Sequence, residues 1–98
     1  MGKILLGSQI IENYKADLNL IATSVTVNIK NVQDATQYSP ASGFYNNFIR
    51  CGRYEIEAIA QDNYIVDKIL INNIEYSNNS IFDVNFGDSL NIEVITNV

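Results

Sequence analysis

Between residues 21 and 30 the chain alternates. Ile21, Thr23, Val25, Val27 and Ile29 fall on one side of an extended backbone, and Ser24, Thr26, Asn28 and Lys30 on the other. A period of two with one apolar side predicts a half-buried strand. The same signature recurs downstream. Residues 44–50 are short and aromatic; Tyr54, Ile56, Ala58 and Ala60 line one face of the next candidate, with Glu55 and Glu57 opposite. Residues 64–71 form a strand or a bent pair, and Asn72-Asn73 turns them into 74–76. An Asn pair supplies the positive φ values that a two-residue hairpin needs. Asn78-Asn79 marks a further turn, Phe82, Val84 and Phe86 a strand, and Gly87-Asp88 the turn into a last strand bearing Leu90, Ile92 and Val94.

Two stretches break the pattern. Residues 31–43, with Asn31, Asp34, Gln37, Ser39, Pro40, Ser42 and Gly43, read as a long surface loop. Residues 1–18 are loosely patterned. They are expected to form an N-terminal arm or edge strand ahead of a domain spanning 19–98.

Composition narrows the fold class to all-β. Apolar residues make up 47% of the 98-residue chain and charged residues 17%, enough apolar content for one folded core. Ile and Val dominate, with six Tyr and four Phe, side chains that suit a pleated surface. About seven short strands with regular turn signals predict a small antiparallel β-sandwich. Its expected core is Val25, Val27, Ile29, Ile56, Ala58, Val66, Ile69, Ile71, Phe82, Val84, Leu90, Ile92 and Val94, with Tyr54, Tyr64 and Phe86 also inward. Residues 51–59 echo 87–95 in turn, alternation and acidic positions. Duplication and independent strand patterning both account for that.

The run Tyr54-Glu55-Ile56-Glu57-Ala58, then Asn63-Tyr64-Ile65-Val66, Ile69-Leu70-Ile71-Asn72, Phe82-Asp83-Val84 and Ile92-Glu93-Val94 resembles bacterial Ig-like and internalin B-repeat modules. Asn63 and Asn73 stand where those modules place glycine, and Asn also visits positive φ. The resemblance covers the second half of the chain. It implies an Ig-like β-sandwich serving as an adhesive or structural module, and hands over no catalytic or ligand residue.

Candidate chemistry is sparse. The chain has no His, which removes the commonest general base and transition-metal ligand, and its one cysteine, Cys51, excludes a Cys-rich zinc site. Cys51 is expected to pack as a buried, inert thiol. Glu55 and Glu57 are expected to form a solvated outer face that also discourages edge pairing. Asp62, Asp67, Asp83 and Asp88 lie near turns but lack the spacing of a Ca²⁺ loop. No catalytic group, cofactor or metal is therefore assigned, and a non-enzymatic protein is expected. The net charge of −5, with six basic residues scattered singly, argues against nucleic acid and anionic membrane as partners.

The expected partner is protein. Residues 4–6 (Ile4, Leu5, Leu6) with Ile10 and Ile11 are too apolar for a tail left in water, and Tyr38, Pro40, Phe44 and Tyr45 flank the long loop. These nine residues are the candidate contacts. An N-terminus without a secretion pattern, carrying an Ig-like cadence, suggests an accessory virion component of a bacteriophage: a multicopy capsid-decoration or tail accessory protein, made in the host cytoplasm. Two other readings remain: a carbohydrate- or receptor-binding module at a bacterial surface or secreted, and a small acidic inhibitor.

Overall fold

The computed structural model describes residues 15–85 and 89–98. Among them every regular element is a strand: β1 (Lys15–Ala22), β2 (Val25–Asn31), β3 (Gln37–Tyr38), β4 (Gly43–Arg50), β5 (Gly52–Ala60), β6 (Ile65–Ile71), β7 (Ile74–Tyr76), β8 (Ile81–Val84) and β9 (Ser89–Asn97). They form a five-stranded sheet in the order β4-β1-β9-β6-β7 and a four-stranded sheet in the order β3-β2-β5-β8. The two pack as a sandwich, so the expected all-β class holds, with nine described strands rather than seven.

The interior is made by alternation. Leu18 and Leu20 of β1 lie level with Leu90 and Ile92 of β9, Ala16 with Ile49 of β4, and Ile69 and Ile71 of β6 with Val94 and Ile92. Facing them from the other sheet are Val27, Ile29, Tyr54, Ile56, Ala58, Phe82 and Val84. Each fully buried Leu, Ile or Val is worth about 1.5–3 kcal/mol relative to exposure. Eleven of the thirteen expected core positions are buried, while Val25 and Val66 are half-buried and packed against the core. Tyr54 is buried as expected, but Tyr64 is exposed, because it sits in the corner between β5 and β6 rather than in a strand. Phe86 and the Gly87-Asp88 turn lie outside the described residues.

Three expectations are corrected. The alternation from Ile21 to Lys30 is not one strand. The chain breaks at Thr23-Ser24, where Ser24 adopts a φ of 59°, and crosses from one sheet to the other. The corner resets the parity: Leu18 and Leu20 point inward before it, Val27 and Ile29 after it, and Ile21 is left on the outer surface, 54% exposed. Second, the boundary expected after residue 18 falls inside β1. Lys15, Ala16 and Leu18 pair with β4, Asp17 and Leu18 with β9, and Ala16 and Leu18 are buried; residues 1–14 lie outside the described residues. Third, the sandwich is not wholly antiparallel, since β1 and β9 run parallel from Asp17↔Ser89 to Ala22↔Val94.

Turn chemistry follows the Asn content. Asn72 and Asn73 have φ of 50° and 68°, and the closing pair is Ile71↔Ile74, the geometry of a two-residue hairpin. At the β5–β6 corner the left-handed φ falls on Asp62 (52°) rather than on Asn63. The supposed loop 31–43 is also more ordered than expected. Asn31, 6% exposed, accepts on Oδ1 from the amides of Gln33 (2.8 Å) and Asp34 (3.0 Å), and β3 then pairs with β2 through Ile29↔Tyr38.

One side chain closes a gap in the four-stranded sheet. β8 pairs with β5 only from Gly52 to Glu55, leaving Ala58 beyond its reach. There the Asn78 carboxamide substitutes for backbone, accepting from the Ala58 amide (2.9 Å) and donating to its carbonyl (2.8 Å). Asn78→Ala leaves both groups without that partner, and a loss of about 1–3 kcal/mol is expected. Equilibrium urea unfolding of the variant checks this, and an unchanged midpoint would show that water replaces the carboxamide at no cost.

Candidate functional site

β4 brings the expected contact residues together but turns them in different directions. It begins at Gly43, where the chain returns from β3, and pairs with β1 through Leu18↔Tyr45, Asn19↔Phe44 and Leu20↔Gly43. Directly paired residues share a face. Tyr45 therefore points inward with Leu18, and Phe44 outward with Asn19. The Tyr45 hydroxyl donates to the Ala41 carbonyl (2.7 Å), and its ring lies 4.7 Å from Phe48. Phe48 in turn packs on Tyr38 (5.2 Å), and Tyr38 on Tyr54 (6.1 Å). This aromatic row covers the flank of the sandwich between β3 and β4. Tyr38, Tyr45 and Pro40 are half-buried, so they serve packing at least as much as contact. Phe44 alone of the four stands clear, 65% exposed. Ile4, Leu5, Leu6, Ile10 and Ile11 lie outside the described residues.

The exposed Phe44 belongs to a larger surface that sequence reasoning missed. On the outer face of the five-stranded sheet, Ile21 lies diagonal to Phe44, and across Glu93 from Ile21 stands Leu70. Ile95 follows in the next row, beside Lys68. A shallow depression of about 120 Å³ opens between Ile21, Leu70, Asn19 and Asn91. Polar cover here is mostly Asn, with Glu93 and Lys68 as nearby charges. The outer face of the four-stranded sheet differs in kind. Asn28 stands opposite Glu57 and donates to it (3.2 Å), Lys30 stands opposite Glu55, and Arg53 pairs with Asp83 at 2.9 Å. That face carries charges, as expected for Glu55 and Glu57, but Ile59 (49% exposed) and Ile81 (56% exposed) also stand on it. Its further expected role in guarding an edge does not hold, because β5 lies inside its sheet between β2 and β8.

The edges of the sheets are unequally protected. β4 is long and carries no charge until Arg50, but it bulges. Asn47 takes a left-handed φ of 49° and donates its amide to Asp17 (2.9 Å), and the register shifts between Ala16 and Leu18. A bulge twists an edge away from foreign strands. Arg50 is drawn off to Asp34 (2.8 Å), whose carboxyl sits below its usual range, first because it accepts from Thr36 and then because Arg50 is near. At the other edge β7 covers only Ile69 to Ile71 of β6. Beyond it a groove of about 400 Å³ runs between residues 66–69 and residues 75–78.

The remaining candidates do not converge. Cys51 is half-buried at the bend between β4 and β5, more accessible than expected. Among the described residues no three His, Cys, Asp or Glu side chains come close enough to hold a metal ion, and Asp83 is engaged by Arg53. Among them, too, no helix is long and apolar enough to cross a membrane. Comparison with protein-family models, curated proteins and solved structures finds no match to this chain.

Proposed function

We propose that this protein is a non-enzymatic structural component that attaches to a larger protein surface, in the manner of a capsid-decoration or tail accessory protein of a bacteriophage. The observation carrying this reading is the inequality of the two outer faces. One carries ion pairs and acidic side chains beside Ile59 and Ile81, while the other presents the aromatic ring of Phe44 with Ile21, 65% and 54% exposed, and has Glu93 between Ile21 and Leu70. Exposed aromatic and aliphatic side chains suit a protein interface, where aromatic anchors concentrate. The attachment face is thus the outer side of β4, β1, β9 and β6, with Phe44 as its anchor.

The test begins with mass spectrometry of purified particles from the source, which should contain the chain. Phe44→Ser combined with Ile21→Ser should then abolish retention on those particles while moving the thermal midpoint little, since both side chains already face water. Retention at the level of the unchanged protein would exclude this face. A particle-free protein that binds tightly on a glycan array would replace the reading with that of a carbohydrate-binding module.

A further inference from the structure

We draw no further inference here: the strongest candidate, the groove of about 400 Å³ between residues 66–69 of β6 and residues 75–78, mixes Asp67, Lys68 and Glu75 with Val66 and Ile69 along its walls, and nothing in the structure shows what covers it.

Discussion

Replacing Phe82 by Ala is expected to cost about 3–5 kcal/mol, a large part of the 5–15 kcal/mol that holds a domain of this size folded. Phe82 is 4% exposed and lies on β8, at the edge of the four-stranded sheet. Its ring sits 6.2 Å from Tyr54 in its own sheet and 6.5 Å, edge-on, from Tyr76 of β7 in the other. It therefore joins the sheets along the flank where both edge strands are short. Truncation opens a cavity between two aromatic rings that other packing holds in place, and cannot be refilled by a small shift. Ile81, the preceding residue, is 56% exposed, and its change to Ala should stay within about 0.5 kcal/mol. Urea unfolding of both variants checks the contrast. A loss below about 1 kcal/mol at Phe82 would mean that β8 is not anchored through this side chain.

That face of β8 was legible from Phe82, Asp83 and Val84 alone, because only one parity buries two apolar residues. The same holds for β5, β6 and β9, where Ile56 and Ala58, Ile69 and Ile71, and Ile92 and Val94 are buried at a spacing of two between marked turns. The N-terminal half was harder because its alternation slips. Leu18-Asn19-Leu20 sets one parity and Val25-Thr26-Val27 the other, and the doubled apolar pair Leu20-Ile21 is the mark of the slip. Reading the stronger run backwards through the corner put Ile21 inward and cut β1 at residue 18. The parallel pairing of β1 with β9 had no local signal, since it joins the two ends of the described chain.

The candidate surface was half legible, for a related reason. Aromatic residues around Pro40 flank the long loop in the sequence, but the parity of β4 decides which of those on it faces out. Tyr45 and Tyr38 thus pack inward while Phe44 stands exposed. Leu70 and Ile95 read simply as strand residues. Their placement on one outer face with Ile21 depends on sheet order, which pairwise alternation does not encode.

Tyr54 is expected to make stability fall in alkali. Its side chain is fully buried in β5, its hydroxyl donates to the Arg50 carbonyl at 2.7 Å, and burial pushes its pKa from 10.0 up to about 12. The sign follows from which state holds the proton. In the unfolded chain the phenol ionises near pH 10, whereas in the folded one it stays neutral until about pH 12. Between those values the unfolded state binds fewer protons than the native state, so stability declines as pH rises. The contribution is complete below pH 10, is lost through pH 10–12, and amounts to on the order of 2–3 kcal/mol, since one pKa unit corresponds to about 1.4 kcal/mol. Tyr54→Phe isolates it. That variant loses the hydrogen bond to Arg50, at about 1 kcal/mol at neutral pH, but has no phenol to ionise. Urea unfolding of both proteins from pH 8 to pH 12 should show the unchanged protein ahead below pH 10 and the variant overtaking it above. Parallel curves across the whole range would mean that the Tyr54 hydroxyl reaches water and ionises in the native fold as readily as in the open chain.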